Sequence, residues 1–287
     1  MRRSGDGLNI TFLVNRDLAS NFALNLILPT MQHHNLTVFL SDKVGNSSDH
    51  SGHSTLLADM ESKVILPLLE SNRKLTGKRS RFLGFNQLQC YAQQPLATLN
   101  DINQTSGLAK LTCNTPDLII SIRFGKILQP DVIKVPRFGV INLHSGLLPQ
   151  YRGVMATFWA MLNGEKEIGT TLHTIDDSGI DTGQVIAQSR IPVQRQKSYL
   201  WHVLQLYLSA PKLLQNYLQA LEKNIPMEKR VQSGQAGYYS FPKQEHCTQF
   251  LQQGLTLFDT AEISAMLEHY YRKTFTAQEA LWLRSRQ

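Results

Sequence analysis

Asp117-Leu118-Ile119-Ile120-Ser121-Ile122 and Gly139-Val140-Ile141-Asn142-Leu143 are short, almost continuously apolar runs. That length and continuity predict strands buried on both faces. Working outward, Leu8 to Val14 and Leu36 to Leu40 read the same way, with a helical stretch from about Ala19 between them, so the chain opens β-α-β. A polar Gly/Ser/His loop at 44–54 precedes a helical pattern near Leu56 to Leu75 and a weak strand around Phe82-Leu83-Gly84-Phe85. On the other side lie a helix near Ala156 to Asn163, alternating strands at Thr170 to Ile175 and Gln184 to Ile191, and a long helical run from Tyr199 to about Glu222. Buried strands separated by helices predict an α/β fold, a mostly parallel sheet with helices on both faces, where ligands collect at the carboxyl ends of the strands. From Lys223 the composition turns polar and glutamine-rich, with helices expected at Glu245 to Gln253 and Thr260 to about Lys273. The reading is a core at 1–222 and a short C-terminal appendage at 223–287.

Composition sets the outer limits. The chain has 287 residues, 42% hydrophobic and 18% charged, and no apolar run approaches the roughly 20 residues of a membrane helix. Ile10 to Val14 is broken by Asn15-Arg16-Asp17, too short for a signal peptide, so a soluble cytoplasmic protein without a membrane partner is expected. The formal charge is +7, but basic residues are scattered, with short clusters only at Arg73-Lys74 and Lys78-Arg79-Ser80-Arg81. Those clusters read as solvated loop, and a nucleic-acid partner is not expected. Cys90, Cys113 and Cys247 are far apart and predict buried free thiols. No His/Cys/carboxylate group stands at metal-ligand spacing in the sequence, so no metal is expected.

Chemistry concentrates in Asn142-Leu143-His144-Ser145-Gly146-Leu147-Leu148-Pro149-Gln150-Tyr151-Arg152-Gly153, where a buried strand becomes a Gly/Pro-punctuated loop. Asn142 and His144 are two apart and share one strand face, so an amide NH2 and an imidazole NH can converge on one developing oxyanion. A second stretch, Asp176-Asp177-Ser178-Gly179-Ile180-Asp181-Thr182-Gly183, is an acidic turn that could return a carboxylate to His144, with Asp181 as the candidate. Singly, an Asn-x-His pair also serves as a cap or loop brace, and Asp-Thr-Gly is an ordinary turn.

Together with Phe124-Gly125-Lys126-Ile127-Leu128, Tyr151-Arg152-Gly153 and Gly169-x-Thr171, these stretches resemble the folate-dependent formyltransferase family, which includes methionyl-tRNA, glycinamide ribonucleotide and sugar-amine formyltransferases. The resemblance covers roughly Leu118 to Val193. It implies a Rossmann-like catalytic core that passes a formyl group from N10-formyltetrahydrofolate to an amine, with Asn142, His144 and Asp181 as the catalytic set. It also implies a folate pocket at Phe124, Gly125, Lys126, Ile127 and Leu128 with Asp177, Ser178, Gly179 and Ile180. For Ile127 and Leu128, core packing is the competing reading. Arg123, Ser145, Gly146, Tyr151 and Arg152 are candidates for the acceptor side. Arg123 meets either an anionic ligand or a structural carboxylate, and Arg152 either substrate or its own loop.

Departures from the family refine the expectation. His144-Ser145-Gly146 replaces a Pro- or Ala-containing stretch, predicting a freer loop, and the interval from His144 to Asp181 is one residue longer than in the best-known members. The first β-α turn, Asn15 to Asn21, has no glycine with which to cradle a phosphate, disfavouring a glycinamide ribonucleotide acceptor. The tail has too few alternating strands for the RNA-holding barrel of methionyl-tRNA formyltransferases, and its Tyr238-Tyr239-Ser240-Phe241-Pro242 offers a cap for the active-site mouth or a homodimer surface. The expected activity is formyl transfer to a small amine such as an amino sugar or amino acid. A formyltetrahydrofolate hydrolase, a methionyl-tRNA formyltransferase and a non-catalytic RNA-binding protein on the same fold are the alternatives.

Overall fold

The structure, a computed structural model, describes residues 7–42, 53–71 and 82–284. Its first half comprises β1 (Asn9–Asn15), α1 (Leu18–Ile27), β2 (Asn35–Ser41), α2 (His53–Met60), α3 (Leu66–Glu70), α4 (Phe85–Leu88), β3 (Ala97–Thr98), α5 (Thr105–Cys113), β4 (Leu118–Ile122), α6 (Pro130–Ile133) and β5 (Val140–His144). Then follow β6 (Arg152–Gly153), α7 (Ala156–Leu162), β7 (Glu167–Ile175), β8 (Val185–Pro192), α8 (Tyr199–Tyr207), α9 (Ala210–Glu222), β9 (Tyr238–Tyr239), α10 (Gln244–Gln252), α11 (Thr260–Met266) and α12 (Ala277–Arg284). Seven strands form one sheet in the order β3-β2-β1-β4-β5-β7-β8. The β3 to β5 portion is parallel, and β7 and β8 pair antiparallel at one edge.

Strand alternation divides the core. Phe12, Val38 and Ile120 face the larger apolar cluster, while Leu13, Phe39, Ile119 and Val140 face a smaller one on the other side of the sheet. Strand order reverses between β1 and β4, and the crevice outside their carboxyl ends, beside the end of β5, is where such a sheet receives ligands.

Several expectations need correction. Phe82 to Phe85 is not a strand: the Asn25 amide donates to the Leu83 carbonyl at 2.8 Å and accepts its N–H at 2.7 Å, taking the place of a neighbouring strand. The outer strand of the sheet is β3, further along the chain. The run from Tyr199 to Glu222 is two helices, because Pro211 lacks the N–H that would bond back into α8 and instead opens α9. The pattern from Leu56 forms helix to Glu70 through a π turn at Glu61–Ile65, and its remainder, with the basic clusters and most of the 44–54 loop, lies outside the described residues. Cys90 and Cys113 are exposed, and only Cys247 is buried.

Among the described residues, the tail beyond Glu222 has no core of its own. Phe250 stacks on Phe158 with ring centroids 4.5 Å apart, Cys247, Ile263, Leu267 and Tyr271 join the main cluster, and the Tyr271 hydroxyl donates to Asn21 Oδ1 at 2.7 Å. Among the described residues no helix is long and apolar enough to cross a membrane.

Folding also brings together His33, His34 and Glu222, a possible ligand set that sequence spacing could not reveal. The Leu8 N–H donates to His34 Nδ1 at 3.1 Å, so the neutral ring carries its proton on Nε2, which faces Glu222 Oε1 at 3.6 Å. That tautomer offers Glu222 a proton and no metal a lone pair.

Candidate active site

Asn142 and His144 end β5 on the face of Val140, and the antiparallel register of β7 sets His173 opposite Asn142. Asp181, in the turn between β7 and β8, reaches back to the same point. Its Oδ2 accepts the Gly153 N–H at 2.8 Å and lies 3.6 Å from His144 Nδ1, while its Oδ1 accepts from Asn142 Nδ2 at 3.3 Å and lies 3.4 Å from His173 Nε2. Burial alone would raise the Asp181 carboxyl, but His144 and the Gly153 N–H outweigh it and hold the group well below the usual carboxylate range. It is an anion throughout the working pH range.

Carbonyl partners fix both imidazoles, since a carbonyl can only accept. His144 Nε2–H donates to the Tyr151 carbonyl at 2.7 Å, so Nδ1 is the edge presented to Asp181 and the cavity. His173 Nδ1–H donates to the Thr174 carbonyl at 2.8 Å, leaving Nε2 of the neutral ring to accept from Asn142 Nδ2 at 3.1 Å. The Asn142 N–H groups are thus held within the cluster. The 3.6 Å separation of His144 Nδ1 from Asp181 is too long for a hydrogen bond and leaves that edge open to an incoming atom.

Asn142, His144 and Asp181 line a cavity of about 720 Å³, with His173 behind them. The lining includes Phe124, Gly125, Lys126, Ile127 and Leu128 with Asp177, Gly179 and Ile180. Leu128 packs in the smaller core while also reaching the cavity lining, and Ile127 is 50% exposed, so core packing does not account for Ile127. The loop is braced by Gly125 N–H donating to Ser41 Oγ at 2.9 Å and by Asn103 Nδ2 donating to the Ile127 carbonyl at 2.8 Å. Ser178 is exposed and outside the cavity lining, in a turn closed by Gly179 N–H donating to Asp177 Oδ1 at 2.7 Å.

The lining also includes Asn15, Asp17, Glu61, Arg123 and Tyr199, with Ser145 next to His144 in the chain and Tyr238, Ser240 and Phe241 contributed by the tail. Arg123 forms an ion pair with Asp17 at 2.9 Å, the structural alternative. Asp17 also caps α1, accepting the Ser20 N–H at 2.7 Å, so the helix N-terminus already holds an anion belonging to the chain. Burial and Asp17 push the Glu61 carboxyl up to about 7, against the pull of Arg123. Arg123, Met155 and Asp181, all on the cavity wall, have φ of 57°, 54° and 53°, left-handed backbone that non-glycine residues adopt at a cost.

Other candidates stand behind the wall. Tyr151 is buried with its hydroxyl on Glu165 at 2.7 Å, and Arg152 turns to Gln232. Gly146 permits close approach: a Cβ there would meet Ala156 Cβ and His144 Nε2 at 2.6 Å, so the expected freer loop is a tightly packed one. His173 and Gln232 escaped the sequence reading. His173 lies two residues past Thr171 on an alternating strand, but only the β5–β7 register brings it to Asn142, and Gln232 sits in a polar stretch with no distinguishing signal.

Residues 36–200, more than half of the chain, match the model of the formyl transferase family. The chain belongs to that family. Among its relatives, the methionyl-tRNA formyltransferase of Synechococcus sp. (strain JA-3-3Ab) is 38% identical over 116 residues, covering 40% of this chain and 36% of that protein. The methionyl-tRNA formyltransferase of Thermodesulfovibrio yellowstonii is 28% identical over 177 residues, 61% of this chain and 57% of that protein. The chain therefore spans from about a third to just over half of these relatives. Glycinamide ribonucleotide transformylase 1 from Symbiobacterium toebii shares the fold, with a TM-score of 0.54 at 15% identity over 79% of this chain and 94% of that one.

Proposed function

We propose that this member of the formyl transferase family moves a formyl group from N10-formyltetrahydrofolate to the amine of a small molecule, its core at 1–222 and its tail at 223–287 acting as one unit. The observation that carries the reading is the convergence of Asn142, His144 and Asp181 on one point of a cavity lined by apolar and charged residues alike. The donor's ring system fits beside Phe124 to Leu128 and the 177–180 turn, and the acceptor fits against Asp17, Glu61 and Tyr199.

The amine attacks the formyl carbon, and the resulting oxyanion needs donors in a site shielded from water. A protonated His144 Nδ1 supplies one, and an Asn142 N–H that turns to the oxyanion from Asp181 Oδ1, the longer of its two contacts at 3.3 Å, supplies the other. Asp181 stays ionised beside the imidazolium and holds the water that carries the proton lost by the ammonium to N10 of tetrahydrofolate, which departs as the formyl C–N10 bond breaks. On the acceptor side Arg123 is neutralised by Asp17, and Arg16 stands 3.5 Å from Asp42, leaving the charge of Glu61. With Asp17 already at the α1 N-terminus, this wall suits a hydroxyl- or ammonium-bearing acceptor better than a phosphorylated one.

The test is calorimetric titration with 5-formyltetrahydrofolate, a stable analogue, followed by tetrahydrofolate release from the N10-formyl donor against amino sugars, amino acids, diamines and methionyl-tRNA. Binding with small-amine-dependent release is expected. Release dependent only on methionyl-tRNA, amine-independent release, or no folate binding by folded protein would each overturn the proposal in favour of the tRNA enzyme, the hydrolase or a non-catalytic protein.

A further inference from the structure

The tail crosses both loops that build the active site. Arg230 exchanges two backbone hydrogen bonds of 2.8 Å with Val185, just past the Asp181 turn, and Gly237 to Tyr239 run beside the 149–154 loop. Between these attachments stands Gln232, half-buried, with its whole hydrogen-bonding capacity in use. Its Oε1 accepts from Arg152 Nε at 3.0 Å and Nη2 at 2.7 Å, and its Nε2 donates to the Asp181 carbonyl at 2.8 Å and the Gly183 carbonyl at 2.7 Å.

We propose that Gln232 is a positioning residue for formyl transfer: its carboxamide ties the Asp181–Gly183 turn to Arg152 and so sets where the Asp181 carboxylate meets His144. The inference rests on the functional reading above. Asp181 is held in left-handed backbone at φ 53°, a conformation an unrestrained aspartate leaves readily, and its carbonyl is a group that Gln232 grips. Arg152 is adjacent to Gly153, whose N–H holds the Asp181 carboxylate from the other end. The clamp thus secures both the backbone and the side chain of one residue, and it couples them to a tail that contributes no member of the Asn142, His144 and Asp181 set. A neutral carboxamide is the one side-chain group that can serve here. It accepts from a guanidinium on one atom and donates to two carbonyls from the other, which neither a carboxylate nor an ammonium can do.

That requirement supplies the discriminating substitution. Gln232→Glu keeps shape and strengthens the pairing with Arg152, but sets an oxygen against the Asp181 and Gly183 carbonyls and releases the turn. Gln232→Ala removes both halves, and Arg152→Lys keeps the charge while losing the fork that orients the carboxamide. Three quantities are compared with wild type: kcat and KM for the formyl donor with the amine that supports turnover, hydrogen exchange of the amides of 181–185, and Tm. The expected result is that Gln232→Glu loses at least about tenfold in kcat, with KM changed by less than about threefold, faster exchange across 181–185 and a Tm within about 3 °C of wild type. Arg152→Lys should show the same split, smaller in size, and covers the case in which Gln232→Ala does not fold. Unchanged exchange in Gln232→Glu would show that the clamp does not hold the turn. Faster exchange with kcat above half of wild type would show that the turn needs no clamp for chemistry. If wild-type protein transfers formyl to no amine, the functional reading fails, while the exchange measurement still decides whether Gln232 holds the turn.

Discussion

Gly153→Ala tests whether the joint between core and tail is as close as the structure draws it. Gly153 has φ of 95°, and a Cβ on it would lie 2.1 Å from the Tyr239 carbonyl oxygen, nearly an ångström inside any tolerable contact. The left-handed backbone costs alanine about 1–2 kcal/mol. Separating the strands to admit the methyl strains Arg152 N–H to Gly237 O at 3.0 Å and Val154 N–H to Tyr239 O at 2.9 Å, each worth about 1 kcal/mol. It also disturbs the stacking of Tyr239 on Trp159 and Tyr151, whose centroids are 5.0 and 5.4 Å away. With partial relaxation the loss is roughly 3–5 kcal/mol, a fall in Tm on the order of 10 °C for a chain of this size. Because the Gly153 N–H also holds Asp181 Oδ2, formyl transfer should fall by about tenfold or more even well below the new Tm. Differential scanning calorimetry and tetrahydrofolate release measure the two effects. A Tm within about 2 °C of wild type, with normal turnover, would refute the close approach and the role assigned to this N–H.

Other consequences follow from the same geometry. Asp181→Asn keeps the size of the side chain but removes the charge facing His144, and should lower kcat at least about a hundredfold while 5-formyltetrahydrofolate affinity by calorimetry stays within about threefold. Glu61→Gln should flatten the pH dependence of acceptor KM, which in the wild type should change around pH 7 as the Glu61 carboxylate forms; steady-state kinetics from pH 6 to 8.5 read the difference. Burial lowers the pKa of both His34 and His202, and His202 is locked neutral, its Nδ1–H on the Ser198 carbonyl and its Nε2 accepting the Gln194 N–H. Below pH 6.5 the unfolded chain takes up protons that these folded rings resist, so stability is present above that pH and is lost as pH falls from it toward the folded values. The slope is up to about 1.4 kcal/mol per pH unit for each ring, and His202→Gln should reduce it in urea unfolding at pH 5 to 7.

Much of this protein was legible in its sequence because the relevant signals are local. Uninterrupted apolar runs identify strands buried on both faces whatever lies around them, which is why Leu118 to Ile122 and Val140 to Leu143 led directly to a mostly parallel sheet. Asn142 and His144 share a face because strand side chains repeat every two residues. The failures were also physical. Phe82 to Phe85 has strand-like composition, but Asn25, distant in sequence, satisfies the Leu83 backbone first. Cys90 and Cys113 are exposed because burial follows from packing and not from residue type alone.

What only the tertiary structure decided depends on register and on long-range closure. The pairing of β5 with β7 sets His173 against Asn142, the reversal of strand order joins Asp17 to Arg123, and the tail's path brings Gln232 to Asp181. Hydrogen-bond capacity is written in each residue's chemistry, but the partner that satisfies it is chosen by the fold.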